Sequence, residues 1–552
     1  MSKPTLAIYG IKDRNDFLYP EFTHDHNLCL MQNGKILQYL QLERLTRRKY
    51  DNRLDLFLED LIENKQIDLP DEFDFVSINS FVGNAFISKN GRFRFESSIE
   101  TDLSTDLQKG FFTYQHNLRG SKEINAYNCP HELAHIFSCL PFFGKFKENS
   151  LLISLDGGSS LGNFSAFHYK TGKMNLIECH WELGYLSKFF NDNALSFQIL
   201  GAKPSEHCSV PGKLMGYASF GNYDLKIENW LKEHHYFRTT WNNQDAIFNS
   251  IQKTFGIKID NFDTKNPFFQ NVAATFQYIF ERDIIMKIRN LQNQTQAEYL
   301  YYSGGCALNI VTNSKIVENN FFKDVFIPPC CNDSGLSVGA ATFLEWKKGN
   351  EIHLHSPYLN NVGIRSSKNK ITQKTIEQTA EIIMQKGVIA VCNDNAEVGP
   401  RALGNRSMLA LANDKEIAQK LSVDIKKREW YRPVAPIMLE KVFQKVTTQK
   451  MNHLAKYMLL DFTIKKDFEN DLCGVTHVNK TARIQVISKQ EDNPFIFKLL
   501  SYLYEKYNVL ALINTSFNTQ GEPIVHTSEN ALQSAKQMKL QAVVINNTLH
   551  KL

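Results

Sequence analysis

The sequence lacks the features that mark secreted, membrane-spanning and nucleic-acid-binding proteins. Its ten cysteines form no CxxC pair and no disulfide framework, and Cys330 and Cys331 are adjacent, which predicts free thiols in a reducing compartment. No apolar run reaches membrane-spanning length, and the run from Leu6 to Tyr9 is too short for a signal peptide. The net charge of +5 over 552 residues gives no argument for a nucleic-acid partner. We therefore expect a cytoplasmic protein without a membrane or nucleic-acid partner.

The chain is long enough for about two to four domains, and one stretch marks a boundary. Residues 349–370 are polar and broken by Ser356-Pro357 and Asn360-Asn361, which is typical of a linker. We predict a first domain over residues 1–355, a linker over 356–372 and a second, smaller domain over 373–552.

The first of these domains contains a faint internal duplication. A strand at Leu6 to Tyr9 is followed by a polar loop and by two apolar runs around Asn33-Gly34, a strong hairpin signal. The same order recurs at Leu151 to Leu155, with a second hairpin around Lys170 to Lys173. Two related halves of this kind suggest an actin-like nucleotide fold with its site in the cleft between the halves.

The stretch from Pro130 to Gly158 carries the clearest chemistry. In a helix that starts after Pro130, His131 and His135 are four residues apart and leave the same face. Two imidazoles on one face form half of a divalent metal site. The next apolar run delivers Asp156 at its carboxyl end. The same letters match the zinc-peptidase signature, with Glu132 as general base, and a purely structural histidine pair also stays open.

Three further patterns offer loops for a ligand. Lys213 is bracketed by Gly212 and Gly216, and Gly304-Gly305 lies between an apolar run and a helix that begins near Asn309. Glycines at such turns let backbone N–H groups approach a phosphate or a sugar closely, although a plain strand-to-helix turn is the commoner reading. Asp333 adds a second carboxylate at the start of another helix.

The C-terminal part is rich in basic residues within tight turns, and its strand at 509–513 ends in short polar side chains. Arginine matches the geometry of phosphate and carboxylate with two parallel hydrogen bonds. This combination suggests an anion site in the C-terminal part.

These blocks, in this order, resemble the NodU/CmcH-type O-carbamoyltransferases over nearly the whole chain. The most specific blocks are residues 399–407 (GPRALGNRS), 514–518 (NTSFN), 212–216 (GKLMG) and 304–309 (GGCALN). The resemblance implies an α/β fold: an actin-like (ASKHA) duplicated N-terminal domain and a smaller YrdC-like α/β C-terminal domain. The latter would make carbamoyl adenylate from carbamoyl phosphate and ATP with Mg²⁺. The former would pass the carbamoyl group to a hydroxyl of a small molecule, a sugar or a natural product.

The resemblance also implies roles for residues. The metal, iron by resemblance with manganese or zinc as alternatives, would be bound by His131, His135, Asp156 and Asp333. His24 and Asp25 would act beside the acceptor hydroxyl. The adenylate would be held by Lys213, Gly304, Gly305 and Asn309. The site for carbamoyl phosphate and ATP would be lined by Arg401, Arg406, Lys427, Arg432, Arg483, Ser516 and Asn518.

The chain departs from the family pattern at several positions. Glu132 stands where the family usually has a further histidine, and His26-Asn27 replaces small residues, so the roles of Glu132 and His26 stay open. Two other functions remain as alternatives: a tRNA-modifying relative that uses the same adenylate chemistry, and a non-catalytic ligand-binding module of the same fold. The acceptor and any homo-oligomeric state stay open.

Overall fold

The computed structural model describes residues 3–11, 23–80, 82–83, 85–96, 112–116, 124–190, 195–237, 243–365 and 369–552. Residues 366–368 of the predicted linker are outside these ranges. The first sheet consists of β1 (Thr5–Tyr9), β2 (Asn27–Gln32), β3 (Lys35–Gln41), β4 (Asp74–Ile78), β7 (Phe112–His116) and β8 (Ile124–Cys129), and a separate ribbon pairs β5 (Ala85–Ile87) with β6 (Arg94–Glu96). The second sheet consists of β9 (Ser150–Leu155), β10 (Phe164–Lys170), β11 (Lys173–His180), β12 (Tyr299–Ser303) and β13 (Asp324–Phe326).

The two sheets share one connectivity. Their strand orders are β3-β2-β1-β4-β8 and β11-β10-β9-β12-β13, with β7 added at the edge of the first sheet. In each sheet the opening strand pairs antiparallel with the hairpin and parallel with a later strand. This repeated order is that of the actin-like fold, so the predicted duplication is confirmed.

Both predicted hairpins are present, and their turns have the backbone that their residues favour. Asn33 and Gly34 have φ angles of 50° and 71°, and Thr171 and Gly172 have φ angles of 53° and 71°. Two consecutive left-handed residues match the right-handed twist of the flanking strands. The order of strand, loop and hairpin that the sequence repeats is therefore the order of each half.

The helices of these two halves cover the sheets and form a helical insertion after β11. They are α1 (Leu42–Thr46), α2 (Leu54–Glu63), α3 (His131–Phe137), α4 (Leu140–Phe143), α5 (Leu195–Leu200), α6 (Val210–Ala218), α7 (Leu225–Glu233), α8 (Gln244–Phe255), α9 (Pro267–Thr295), α10 (Ile310–Glu318) and α11 (Leu336–Lys347). The long α9 shows why the ends fall where they do. The Asn266 side chain accepts from the N–H of Phe268, Pro267 occupies the first turn, and Gln296 stops the helix in the left-handed conformation.

The C-terminal region forms a mixed seven-stranded α/β sheet, as expected for the YrdC-like domain. Its strand order is β19-β16-β20-β15-β14-β21-β22. The strands are β14 (Ile389–Cys392), β15 (Arg406–Leu411), β16 (Ala435–Leu439), β19 (Gln485–Ile487), β20 (Leu512–Ser516), β21 (Ala542–Ile545) and β22 (Thr548–Lys551), beside a ribbon of β17 (Phe462–Thr463) and β18 (Thr481–Ala482). The helices are α12 (Gln373–Met384), α13 (Lys415–Gln419), α14 (Glu440–Val446), α15 (Pro494–Tyr507) and α16 (Ser528–Gln537).

The regions are joined by packing as well as by the chain. One continuous buried apolar cluster contains Leu151 and Leu300 of the second sheet together with Ile389 and Leu409 of the third. Asn360, within the predicted linker, pairs its backbone with both Tyr39 of β3 and Ala396. The C-terminal region is therefore held against both halves of the actin-like part. Among the described helices, none is both long and apolar enough to span a bilayer.

Candidate active site

A cavity of about 870 Å³ lies where the two actin-like halves and the C-terminal region meet. Thirteen of the seventeen residues assigned to sites from the sequence line it. They are His24, Asp25, Asp156, Lys213, Gly305, Asn309, Asp333, Arg401, Lys427, Arg432, Arg483, Ser516 and Asn518. His131 and His135 are buried directly behind Asp156 and Asp333, whereas Gly304 and Arg406 are not part of the lining.

The deep end of the cavity holds the four residues of the expected metal set. His131 and His135 leave the same face of α3, Asp156 follows β9, and Asp333 begins the turn before α11. One ligand atom from each lies within 4.8 Å of the other three. The two histidine Nε2 atoms are 3.0 Å apart, and the Nε2 of His135 is 3.4 Å from Asp156 Oδ2 and 3.6 Å from Asp333 Oδ1.

This geometry fits a divalent cation. Two imidazole nitrogens lie at hydrogen-bond distance from each other, beside two carboxylates, so the four side chains could hold one metal ion between them. Two nitrogen and two oxygen donors suit iron, manganese or zinc. Burial alone raises the pKa of Asp333, yet the surrounding imidazoles, led by His24, hold it well below its usual value. Burial alone lowers the pKa of His135, but Asp156 and Asp333 raise it to about 9.

Neighbouring groups hold the two carboxylates in place. Asp333 Oδ2 accepts a hydrogen bond of 3.1 Å from the Tyr9 hydroxyl. Asp156 Oδ2 accepts one of 2.5 Å from the backbone N–H of Gly305. Gly304 makes this approach feasible, because it has a φ of +102° and a Cβ there would lie 2.1 Å from the Leu155 carbonyl oxygen. The glycine pair therefore supports the carboxylate of Asp156, and Gly305 also lines the cavity.

The Glu132 carboxylate is already engaged by neighbouring groups. One oxygen accepts from the Ser160 hydroxyl at 2.7 Å, and the other accepts from the N–H of Leu161 at 2.7 Å. Glu132 thus fixes the loop after Asp156 and is not directed at a metal-bound water, as a peptidase base would be. His26 is also structural: it is buried, its Nε2 lies 3.1 Å from the Ile11 carbonyl oxygen, and burial lowers its pKa to about 4.

His24 forms part of the cavity wall beside the metal-type cluster. Its Nδ1 lies 3.1 Å from Asp25 Oδ2, and Asp25 is itself bound by the amides of Gln41 and Asn332. Burial alone lowers the pKa of His24, but the charges of Cys208 and Asp333 outweigh it and raise the pKa well above its usual value. Cys208 was not predicted as part of this site, because no spacing rule links it to His24.

The opposite end of the cavity is a cluster of cations with few counter-charges. Arg401, Arg428, Arg432 and Arg483 line it together with Lys426. Burial, and then repulsion from neighbouring arginines, lower the pKa of Arg428 to about 9; burial and Arg432 lower that of Arg401 to about 10. The same causes hold the pKa of Arg483 well below its usual value. Such crowding is relieved by a polyanion in the cavity.

Lys426 lines the cavity beside the predicted Lys427, and of the two it is the buried one. The Lys426 ammonium group is buried and donates to Ser516 and Asn518, with 2.8 Å to Asn518 Oδ1 and 3.2 Å to Ser516 Oγ. The neighbouring Lys427 also lines the cavity, but its side chain is exposed. A turn of π-helix over Lys420–Ile425 and a left-handed Lys427, with a φ of 52°, decide which lysine points inward.

Two further predicted residues have structural partners that the sequence did not reveal. Arg406 is buried outside the cavity lining, and its guanidinium donates to the backbone carbonyls of Asn393, Asp394, Asn405 and His526. We therefore withdraw Arg406 from the anion site. Lys213 lines the cavity but is paired with both Glu206 and Glu429 at 2.6 Å.

Asn309 lines the cavity and also caps α10. Its side-chain oxygen accepts a 3.1 Å hydrogen bond from the N–H of Thr312, and its amide donates to Gln277 at 3.0 Å. Asn309 therefore combines a structural role at the start of α10 with a place in the cavity lining.

A duplicated actin-like fold, with charge clusters of both signs in its cleft and a fused α/β domain, defines an enzyme of the actin-like class. Two family models match the chain: "Carbamoyltransferase N-terminus" over residues 18–342 and "Carbamoyltransferase C-terminus" over residues 380–551. The chain therefore belongs to the carbamoyltransferase family, and the resemblance inferred from its motifs is confirmed.

Individual relatives match over most of their length. Nodulation protein U of Azorhizobium caulinodans is 25% identical over 552 residues, covering 91% of this chain and 93% of that protein. An uncharacterized protein of Methanocaldococcus jannaschii is 27% identical over 551 residues, covering 95% and 98%. The solved structure of full-length HypF in a phosphate- and nucleotide-bound form is 14% identical, covering 64% of this chain and 56% of that one, with a TM-score of 0.33. That score is too low to support the fold assignment, which rests on the strand order.

Proposed function

We propose that this carbamoyltransferase makes carbamoyl adenylate from carbamoyl phosphate and ATP and then transfers the carbamoyl group to a hydroxyl of a small molecule, a sugar or a natural product. The observation that carries the proposal is the single cavity that joins a cluster of cations to a cluster of imidazoles and carboxylates. The first cluster suits two phosphate-bearing substrates, and the second suits a carbonyl under attack. ATP would enter with Mg²⁺.

The cationic end would serve the first step, in which the adenylate forms. A carbamoyl carbonyl is a poor electrophile, because its nitrogen donates electrons into it, and a mixed anhydride with AMP supplies a good leaving group. Arg428, Arg483 and Lys426 would neutralise the charge that moves through the phosphoryl oxygens. Ser516 and Asn518 hold the Lys426 ammonium group towards the cavity. Lys427, which the resemblance assigned to this role, lines the cavity beside Lys426.

The second step belongs to the opposite end. A divalent metal held by His131, His135, Asp156 and Asp333 would supply a Lewis acid there. Asp25 holds one nitrogen of His24, so Nε2 would give its proton to the departing AMP and would then receive the proton of the acceptor hydroxyl. Gly305 and Asn309 would border the adenylate between the two ends. The division into domains 1–355 and 373–552 stays part of this proposal.

Pyrophosphate release tests the first half of the proposal without knowledge of the acceptor. The purified protein should release pyrophosphate only when ATP and carbamoyl phosphate are both present. ATP with a methylene bridge between its α- and β-phosphates serves as the matched control and should release none. Pyrophosphate release from ATP alone, or none from the metal-loaded protein with both substrates, would contradict the proposal.

A further inference from the structure

A cysteine flanked by two histidines lies in the wall of the cavity, and the proposed reaction does not use it. The thiol sulfur of Cys208 is 3.2 Å from Nε2 of His207, whose Nδ1 lies 3.1 Å from the Pro204 carbonyl oxygen. On another side the thiol is within hydrogen-bonding reach of His24, and the rings of His24 and His207 are 6.4 Å apart. Cys208 and His24 both line the cavity.

The surroundings of this thiol are those of a nucleophile. Burial alone raises the pKa of Cys208, but the imidazoles of His24 and His207 outweigh it and lower the pKa to about 7. Cys306 lines the same cavity, yet burial raises the pKa of its thiol well above the usual value. The thiolate is the reactive form of cysteine, so only one of these two thiols is prepared for reaction near neutral pH.

We propose that Cys208 is a catalytic nucleophile that receives the carbamoyl group as an S-carbamoyl thiocarbamate before the acceptor does. This inference rests on the proposed function, because carbamoyl adenylate is its electrophile. The supporting geometry is the cluster of one thiol and two imidazoles. Its thiol lies in the wall of the same cavity that the cations and the carboxylates Asp156 and Asp333 line, where the adenylate would form.

The two steps balance. The Cys208 thiolate forms a bond to the carbamoyl carbon, and the bond from that carbon to the AMP oxygen breaks. AMP leaves with the electron pair and takes the proton that His24 held beside the thiolate, so His24 becomes neutral. The acceptor hydroxyl oxygen then forms a bond to the same carbon while its proton passes to His24. The bond from carbon to sulfur breaks, which restores the thiolate. No oxidant or reductant is needed.

Mass spectrometry of the intact protein and its peptides tests the inference. The wild-type protein is incubated with ATP and carbamoyl phosphate but without acceptor, then quenched in acid. We expect a gain of one carbamoyl group in place of one hydrogen, located on Cys208 and absent from Cys306. Pyrophosphate is measured in the same sample, so that failure of adenylate formation and failure of capture are told apart.

Two controls separate capture from chemical modification. Carbamoyl phosphate decomposes to cyanate, which also carbamoylates thiols, so the adduct must disappear when ATP is omitted. Cys208→Ser should lose the adduct and lose carbamoyl transfer by at least ~10²-fold while keeping pyrophosphate release. The matched variant Cys473→Ser changes a thiol outside the cavity lining and should behave as wild type.

The inference is overturned, with the proposed function intact, if pyrophosphate forms but Cys208 stays unmodified and Cys208→Ser transfers at the wild-type rate. If no pyrophosphate forms, the proposed function and this inference fall together. An adduct that persists without ATP identifies cyanate as the reagent and also overturns the inference.

Discussion

The two ends of the cavity differ in the charged groups that they bring together. At one end His131, His135, Asp156 and Asp333 bring donors of a metal-ligand set within 4.8 Å of one another. At the other end four arginines and Lys426 crowd together, and the pKa of Arg428 falls to about 9 because burial and its cationic neighbours disfavour its charge. Each end is arranged around a partner of the opposite sign: a cation at the first, and a polyanion at the second.

The difference teaches how one chain can separate two half-reactions within a single cavity. Uncompensated buried charges cost folding free energy, so their retention indicates function more than stability. Arg406 makes the contrast clear, since it is more deeply buried than the four arginines of the cavity, yet its guanidinium is fully used by backbone carbonyls. Burial of an arginine alone does not mark a binding site, whereas the lack of a matching partner does.

The largest effect should come from the metal-type end. We expect about one divalent transition metal per chain in the wild type, and His135→Ala should lose it together with ~10²–10³-fold or more of carbamoyl transfer. Pyrophosphate release should change little, because the cationic end is untouched. Metal analysis and the two activity assays measure this directly. Full transfer by a metal-free protein, or equal loss of both half-reactions, would contradict the assignment of the two half-reactions to different ends of the cavity.

The next effect distinguishes two adjacent lysines. Lys426→Ala removes a buried ammonium group of the cationic end and should lower pyrophosphate release by ~10²–10³-fold. Lys427→Ala removes an exposed charge and should stay within about tenfold of wild type. Both variants should still transfer the carbamoyl group from synthetic adenylate. A larger loss of pyrophosphate release in Lys427→Ala than in Lys426→Ala would instead support Lys427, the lysine predicted from the sequence.

A moderate effect should appear in stability. The folded-state pKa of Arg428 lies below its value in the unfolded chain, so the crowding costs stability at pH values below about 9, which includes neutral pH, and the cost fades above it. Pyrophosphate should therefore raise Tm, with about 2.7 kcal/mol of stabilisation at one hundred times its Kd. Arg428→Gln should raise the Tm of the free protein and shrink the shift produced by pyrophosphate.

Thermal unfolding at neutral pH, with and without pyrophosphate, makes this measurement. His135→Ala is the matched control, because it alters the other end and should keep the full pyrophosphate shift. An unchanged shift in Arg428→Gln would remove Arg428 from the anion site.

The smallest effect should come from Glu132. Glu132→Gln keeps one oxygen acceptor for the Ser160 hydroxyl or the N–H of Leu161, so carbamoyl transfer should remain within about tenfold of wild type. No peptide hydrolysis should be detectable with casein in either protein. Metal-dependent cleavage that this substitution abolishes would instead make Glu132 the general base of a peptidase.

Much of the fold was predictable, because short stretches of the sequence determine its hairpins and helices. The hairpins at Asn33-Gly34 and Thr171-Gly172 follow from residues that tolerate left-handed backbone, and their repetition revealed the duplicated halves. The spacing of His131 and His135 placed both rings on one face of α3. Asp156 and Asp333 were assigned by family resemblance, since nothing local shows that two loops 177 positions apart in sequence meet at one point.

What the sequence determined by itself is therefore the class of fold, the family and most of the residues around the cavity, because periodicity, turn chemistry and motif order act over short distances. Only the tertiary structure decided which of Lys426 and Lys427 points inward and that Arg406 is bound by carbonyls. It also decided that Cys208 lies between two imidazoles. These outcomes depend on contacts between distant segments, on burial and on one residue's backbone angle, none of which has a signature in the residues nearby.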